Sequence, residues 1–229
     1  MTSRPFKNKI ALVTGHTGFK GSWLAMWLES LGAKVVGVAI DPPSKPSHFE
    51  VAELAKSIED NRLDIRDGDE LKLLVSGTQP DFVFHLAAQP LVLQSYLDPV
   101  ETYQTNVLGT LNLLEALRLL EKKCTSVFIT SDKCYKNVEW VWGYRETDTL
   151  GGQDPYSASK GAAELVIRSH VKLFFPTDGP VRIAIGRAGN VIGGGDWAQD
   201  RVVPDCVRSW AKEEPAQLRN PQSTRPWQH

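Results

Sequence analysis

The sequence predicts an α/β fold: a doubly wound parallel sheet covered by helices on both faces, followed by the beginning of a smaller C-terminal segment. Three observations predict it. Strand-like apolar runs alternate with helical patterns from the N-terminus to residue 187. Glycines spaced G-x-x-G-x-x-G stand between the first run and the first helix. After Arg187 the texture changes to Gly193-Gly194-Gly195-Asp196-Trp197 and scattered prolines without a period, so the boundary falls between residues 1–187 and 188–229.

Residues 9–14 read as the first strand and 22–31 as the first helix, with Trp23, Leu24, Trp27, Leu28 and Leu31 on one stripe and Gly32 placed to end it. A second strand spans 34–40, after which Pro42, Pro43 and Pro46 forbid regular structure. Ser47-His48-Phe49-Glu50 has the spacing of a capping box for a short helix. Strands follow at 62–65 and 82–86, with a helix around 70–75 between them. Asp98-Pro99 opens a long helix over 100–120, because proline is tolerated at the first helical position. A strand at 127–130, a long helix from Pro155 to about residue 175, and a strand at 181–185 close the alternation.

A chain of 229 residues can bury a full core, and its net charge of −1 provides no long-range field for nucleic acid or an anionic membrane. The N-terminal residues lack the apolar stretch of a signal peptide, and no apolar run is long enough to span a bilayer. Cys124, Cys134 and Cys206 are odd in number and lack metal-ligand spacing, so they fit small buried side chains kept reduced in a cytosol, and no metal is expected.

The glycine turn is where a dinucleotide would lie. Gly15, Thr17, Gly18, Phe19 and Gly21 allow a tight turn and close backbone approach, and aim a helix N-terminus at pyrophosphate oxygens. Asp41 ends the second strand, where a carboxylate binds ribose hydroxyls and repels a ribose phosphate. Pro42 and Pro43 supply no arginine to receive one, so NAD is expected rather than NADP. Asp64, Ile65, Ala87, Ala88 and Gln89 stand at strand C-terminal ends, where open α/β sheets hold ligands. The bland alternatives are a plain strand-to-helix turn and a turn-forming aspartate.

Tyr156 and Lys160 are four residues apart and project from one helix face. A lysine ammonium and a cationic nicotinamide both favour phenolate, so a lowered tyrosine pKa and a base beside the cofactor are expected. Ser131, ending the fifth strand, can hydrogen-bond the same substrate hydroxyl. Asp132 and Lys133 follow it directly. An epimerase of this architecture needs only the tyrosine, whereas an elimination needs a further base and a further acid, which these two could supply. Read as bare spacing, Tyr156 and Lys160 could equally be an exposed helix pair, and Asp132 and Lys133 an ion pair or turn.

The strings Val13-Thr14-Gly15-His16-Thr17-Gly18-Phe19-Lys20-Gly21-Ser22-Trp23-Leu24, His85-Leu86-Ala87-Ala88-Gln89-Pro90, Thr130-Ser131-Asp132-Lys133-Cys134-Tyr135, Arg187 through Trp197 and Arg225-Pro226-Trp227-Gln228-His229 resemble the extended short-chain dehydrogenase/reductases, and within them the CDP-glucose 4,6-dehydratases. The related dTDP-glucose enzymes carry aspartate then glutamate where this chain has Asp132-Lys133, which favours the CDP-sugar branch. The resemblance implies a Rossmann-type sheet with tightly held NAD and a lyase reaction on CDP-glucose in an O-antigen or deoxysugar pathway. Tyr156 would take the C4 hydroxyl proton as hydride leaves C4. Water would then leave across C5–C6 with Asp132 as the acid, and the hydride would return to C6.

Lys133 occupies the place of the C5 base, and either acts as that base when neutralised or only orients the sugar. The resemblance also assigns the nucleotide diphosphate to Asn190, Arg201 and Arg225, and counts Asn106 with Tyr156 and Lys160 among the cofactor residues. It implies a homo-oligomer, a dimer or dimer of dimers paired through the helices near 100–120 and 155–175, while charge, cysteine usage and the lack of long apolar runs point to a cytoplasmic protein that meets neither nucleic acid nor membrane. Members of this family continue beyond the Arg225–His229 string, so a C-terminally incomplete substrate segment is expected. The rivals are another nucleotide-sugar epimerase or reductase of the same family, and a non-catalytic NAD-binding protein.

Overall fold

The computed structural model of the protein describes residues 5–218 and 220–229. β1 (Ile10–Thr14), β2 (Lys34–Ala39), β3 (Glu59–Arg62), β4 (Phe82–His85), β5 (Cys124–Ser131) and β6 (Val181–Ala188) form one sheet in the order β3-β2-β1-β4-β5-β6. Every neighbouring pair is parallel. This is the doubly wound α/β class the sequence predicts. The strand order reverses between β1 and β4, so a crevice opens at the C-terminal ends of these two strands.

Both faces of the sheet are covered, which is why its strands read as near-continuous apolar runs. On β1, Leu12 enters a core with Val83, Phe128, Leu71, Leu113 and Ile167, drawn from α3 (Gly68–Thr78), α6 (Gly109–Leu117) and α7 (Pro155–Phe174). Ala11 and Val13 point the other way, against Ala25, Leu28 and Phe49 of α1 (Phe19–Ser30) and α2 (His48–Val51). Each large apolar side chain so buried contributes about 1.5–3 kcal/mol.

Local caps appear where the sequence signals them. Ser47 Oγ accepts from the Glu50 amide at 3.2 Å and donates to its carboxylate at 2.9 Å. Asp98 caps α5 (Pro99–Tyr103) and Asp154 caps α7, each followed by proline at the first helical position.

Four expectations need correction. The strand expected at 62–65 lies at Glu59–Arg62. As an edge strand paired only to β2 it exposes Glu59 and Arg62, and Ile65 turns under into the core. The helix expected over 100–120 is broken: α4 (Val92–Leu97) precedes α5, and a π-turn at Gln104–Leu108 separates α5 from α6. Of the stripe expected on α1, only Leu24 and Leu28 face the core; Ser22 and Ala25 join them, while Trp23 and Trp27 remain 43% and 64% exposed. Finally, the aperiodic C-terminal stretch contains α8 (Val202–Trp210) and a small parallel pair, β7 (Asn190–Val191) with β8 (Trp227–Gln228).

The strand expected at 181–185 continues through Arg187 to Ala188. The glycine segment that follows is fastened onto α1. Trp23 Nε1 donates to the Gly194 carbonyl at 2.8 Å, and its ring stacks on His48 at 4.4 Å.

Candidate active site

The glycine turn fills the crevice between β1 and β4. Gly15 has φ +77°, and a Cβ there would stand 2.7 Å from the Ala87 amide nitrogen, so only glycine lets the turn lie against the end of β4. Gly18 begins α1 without a side-chain cap, leaving the helix end free for an anionic ligand. Thr17 donates to the Ile40 carbonyl at 3.1 Å and fixes the turn to the end of β2. Phe19 lies against Gly193, so the turn also meets the C-terminal segment. These residues form a backbone cradle that fits the pyrophosphate of a dinucleotide.

Along the rest of the crevice the expected residues serve in different ways. The Asp41 side chain is 96% exposed at the end of β2 and available to a ligand. Asp64 is held by Arg66 through Nε at 2.8 Å and Nη2 at 2.6 Å. Burial raises its pKa, but those bonds outweigh burial and keep it below the usual carboxylate range. Ile65 packs its side chain in the core, and its carbonyl accepts from Asn112 Nδ2 at 3.0 Å. The Ala87 amide donates to Thr14 Oγ1 at 3.2 Å, and Ala88 follows it. Asn106, presented by the π-turn, accepts from the Gln89 amide at 2.8 Å and donates to Ser159 Oγ at 2.9 Å. It thereby ties the end of β4 to α7.

Tyr156 and Lys160 lie on the first turns of α7, 9% and 7% exposed, with the Lys160 ammonium 5.9 Å from the Tyr156 ring centroid. Ser131 ends β5, and its hydroxyl is one of the groups that favour phenolate at Tyr156. It also donates to Asp132 Oδ1 at 3.0 Å and accepts from the Lys133 amide at 3.2 Å, which sets both residues at the rim in a 3₁₀ turn. The five residues expected to carry chemistry are therefore brought to one place.

The tyrosine differs from expectation in one respect. Burial pushes its pKa above the ordinary value, against the Ser131 hydrogen bond and the Arg201 charge, while Asp132 and Asp154 add to the rise. Lys160 is itself pushed down to about 8, by burial first and then by the charge of Lys20. In the protein alone, desolvation outweighs Ser131 and the Arg201 charge, the groups that favour phenolate.

The charges that reach this pocket include Lys20, which the sequence reading left inside the glycine motif without a role. Burial and Arg201 lower its pKa, while Asp196 and Asp132 oppose them. Arg201, capping α8, donates to Asp196 at 2.9 Å, which brings one predicted substrate residue toward the tyrosine. Asn190 sits in β7 opposite Trp227. Arg225 is exposed and donates to the Thr224 carbonyl at 2.8 Å; no contact among the described residues joins it to Tyr156.

A second group missed in the sequence stands at the ribose end. Asp60 lies opposite Gly37 in the β2–β3 register. A Cβ on Gly37 would meet the His16 ring at 2.5 Å, so the bare glycine makes room for that ring. His16 Nε2 binds Asp60 Oδ1 at 2.7 Å, and burial holds its pKa down, so the ring is the neutral Nε2–H tautomer. Arg62 holds the other Asp60 oxygen through Nε at 3.1 Å and Nη2 at 2.9 Å. Its Nη1 is 3.5 Å from Asp41. An arginine therefore does stand beside Asp41, supplied by β3 and not by the proline segment. A glycine inside a strand was the available signal.

Comparison with known proteins gives one consistent picture. The family model described as GDP-mannose 4,6 dehydratase matches residues 12–229. A CDP-glucose 4,6-dehydratase of Salmonella typhimurium is 51% identical over 228 residues, 98% of this chain and 64% of that protein. A CDP-paratose 2-epimerase of Salmonella typhi is 30% identical, over 71% of this chain and 53% of that one. The chain thus spans less than two thirds of the length of these curated relatives. Among solved structures, a UDP-glucuronic acid 4-epimerase from Bacillus cereus, in complex with UDP-glucuronic acid and NAD, superposes with a TM-score of 0.81 at 26% identity, covering 95% of this chain and 68% of the other. The epimerase Mth375 of Methanothermobacter thermautotrophicus gives 0.83 at 28%, covering 98% and 65%.

Proposed function

The chain belongs to the GDP-mannose 4,6-dehydratase family, and from that premise we propose that it converts CDP-glucose to CDP-4-keto-6-deoxyglucose with bound NAD. One observation carries the reading. Tyr156 and Lys160 on α7 lie against the turn that carries Ser131, Asp132 and Lys133, and the charges of Asp132 and Arg201 reach the phenol, so a sugar there meets a phenol and a carboxyl together. The 51% identity to a protein named for this reaction supports the choice of sugar nucleotide.

Bound NAD supplies a hydride acceptor for C4 and a hydride donor for C6, so the net redox change is zero. Tyr156 as phenolate takes the C4 hydroxyl proton, and Ser131 holds that hydroxyl. Ser131 and the Arg201 charge are the groups that favour phenolate against burial. The 4-ketone acidifies the C5 hydrogen. The C5 proton passes to a base, the C5–C6 double bond forms, and the C6 hydroxyl leaves as water with a proton from Asp132. Lys133 stands beside this step as the base or as the group that orients the ring. Lys20 and Lys160 provide the positive charge that suits an anionic, phosphate-bearing ligand.

In this reading residues 1–187 hold the dinucleotide and 188–229 begin the nucleotide-sugar segment, with Asn190, Arg201 and Arg225 on the diphosphate. The exposed Leu97, Val100 and Leu108 on one helix group, and Leu165 and Leu173 on α7, suit pairing of two copies. No helix among the described residues is long and apolar enough to cross a membrane. A cytoplasmic enzyme of deoxysugar or O-antigen synthesis fits the sugar nucleotide proposed.

The test is incubation with CDP-glucose and NAD in heavy water. A 4-keto-6-deoxy sugar carrying solvent deuterium at C5, with no net reduced cofactor, is expected. A configurational isomer without a ketone would overturn the reading in favour of an epimerase.

A further inference from the structure

We propose that Trp23 and His48 are positioning residues for the sugar-nucleotide half of the site. They clamp the strap Gly193-Gly194-Gly195 onto α1, so that Asp196 and Arg201 beyond it are held at the pocket. The proposal rests on the reading of residues 188–229 as the start of the nucleotide-sugar segment, and names what fastens that segment to the dinucleotide half.

The three glycines of the strap serve in different ways. A Cβ on Gly193 would stand 3.1 Å from Phe19 Cζ, at the first residue of α1. Gly195 has φ +81°, and a Cβ there would stand 2.7 Å from the His48 Cβ. Gly194 has open space at its α-carbon and contributes its carbonyl, which accepts from Trp23 Nε1 at 2.8 Å across 171 residues of chain. The donor is itself fixed. Its ring stacks on His48 at 4.4 Å with 21° between the planes, and His48 Nδ1 is 2.8 Å from Ser22 Oγ. Ser22 spends its own proton on the Phe19 carbonyl at 2.9 Å, so the imidazole donates to Ser22 and its ring is oriented.

Beyond the clamp the segment packs loosely. α8 buries none of its residues, and β7–β8 is a sheet apart from the main one. The strap leads directly into Asp196, whose side chain is only 7% exposed. Asp196 Oδ1 accepts from the Ala198 amide at 3.2 Å and Oδ2 from Arg201 Nη1 at 2.9 Å, so the residue next to the strap sets the guanidinium. Arg208 closes the turn from α8, donating to the Trp197 and Ala198 carbonyls at 3.1 and 3.0 Å. Arg201 remains 30% exposed, which leaves an edge for phosphate oxygens. The charges of Asp196 and Asp132 both reach Lys20 on the first turn of α1, so the strap ends beside the turn that carries Asp132. A shift of the strap by about 1 Å would carry Arg201 with it, and misplacement on that scale can cost about 10²-fold.

Steady-state kinetics with CDP-glucose and titration with NAD test this on the wild type, Trp23→Phe, Gly195→Ala and Trp27→Phe. Trp23→Phe keeps the stacking ring and loses only the N–H. It should raise KM for CDP-glucose by about three- to tenfold, the range of one lost hydrogen bond, with kcat and NAD affinity near the wild type. Gly195→Ala, which pushes the strap off His48, should show the same split more strongly. Trp27→Phe, one turn further along α1, should match the wild type. Because the clamp acts through Arg201, Trp23→Phe should add little in an Arg201→Gln background, a dependence that mere loosening of the fold would not produce. An unchanged KM in both Trp23→Phe and Gly195→Ala overturns the proposal while the dehydratase reading stands. So does an NAD affinity that falls as far as KM rises, or a full Trp23→Phe effect without Arg201. If the wild type neither binds nor converts CDP-glucose, both fall.

Discussion

Arg187 grips Glu164 with the Nε–Nη2 edge of its guanidinium, Nε to Oε1 at 2.7 Å and Nη2 to Oε2 at 2.5 Å, inside a site where the glutamate is fully buried. Thr130 donates to the same carboxylate at 2.7 Å. Glu164 lies one helical turn beyond Lys160, Thr130 directly precedes Ser131, and Arg187 stands near the end of β6. One carboxylate thus locks α7, which carries the tyrosine and lysine, to β5, which carries the serine, and to β6. Tyr135 packs its ring under the Arg187 guanidinium at 4.5 Å, extending the lock to the turn that carries Asp132 and Lys133.

Removing one partner of such a pair strands the other charge in the interior, which typically costs about 3–5 kcal/mol. Glu164→Gln should therefore lower unfolding stability by that amount in urea titration, and a loss under about 1 kcal/mol would contradict it. The pH dependence has a defined sign. Burial pushes the Glu164 pKa up, but the bonds from Arg187 and Thr130 outweigh it and the carboxyl ends below its ordinary value. Its contribution is present above the ordinary carboxylate range and lost as pH falls through the folded pKa. The variant's deficit should shrink in acid.

Lys160 contributes a penalty in place of a gain, with the same direction of pH dependence. Its pKa falls from 10.5 to about 8 in the folded chain, by burial first and the Lys20 charge second. Between those values the unfolded chain holds more protons, so this group's penalty, on the order of 3 kcal/mol, is full below pH 8 and fades as pH rises toward 10.5. Lys160→Met should be more stable than the wild type at neutral pH while losing turnover. That advantage, followed by thermal melting, should narrow across the same window. A gap that stays constant with pH would assign the ammonium's burial no energetic weight.

Two variants separate the chemical steps. Tyr156→Phe should bind NAD but lose turnover by about 10²–10⁴-fold, the range of a lost general base. Asp132→Asn should still allow oxidation at C4 and stall before water leaves. With CDP-glucose present, reduced nicotinamide should accumulate in its near-ultraviolet absorbance and little 6-deoxy product should form. Full turnover in Asp132→Asn would remove that residue from the elimination.

The parts of the fold legible in the sequence are those fixed by near neighbours along the chain. The glycine turn, the Ser47 capping box and the Asp98-Pro99 and Asp154-Pro155 helix starts each depend on residues within one turn. Tyr156 and Lys160 meet for the same reason. What escaped depends on contacts distant in sequence. β3 is a run of four polar residues that becomes a strand because β2 lends it an edge. On α1, tryptophans share the helix with small residues, and only the sheet's proximity shows that Ser22 and Ala25 face inward. The π-turn that presents Asn106 leaves no local mark, whereas α8 carries a short apolar period, Val203, Cys206, Val207 and Trp210, and the group around Arg62 is signalled only by Gly37 inside a strand. The tyrosine's raised pKa was misjudged because its neighbours in sequence reveal charge, whereas burial is a property of the whole fold.

The pairing of Gly37 with His16 offers one more test, because it places a side chain where a strand residue should carry its own. An alanine methyl at residue 37 would sit 2.5 Å from the ring's Cδ2 and Cγ, far inside van der Waals contact, and the ring is fully buried with no room to retreat. Overpacking of this kind costs about 1–3 kcal/mol. It should also displace Nε2 from Asp60 and so loosen the carboxylate that anchors Arg62. Gly37→Ala is expected to lower stability by that amount, and His16→Ala by a comparable amount through the lost ring contacts and hydrogen bond. Together they should cost clearly less than the sum, since the methyl then enters space the imidazole has left. Chemical denaturation of the four proteins in this cycle measures the coupling directly. Strict additivity would mean that the glycine is there for some reason other than the histidine.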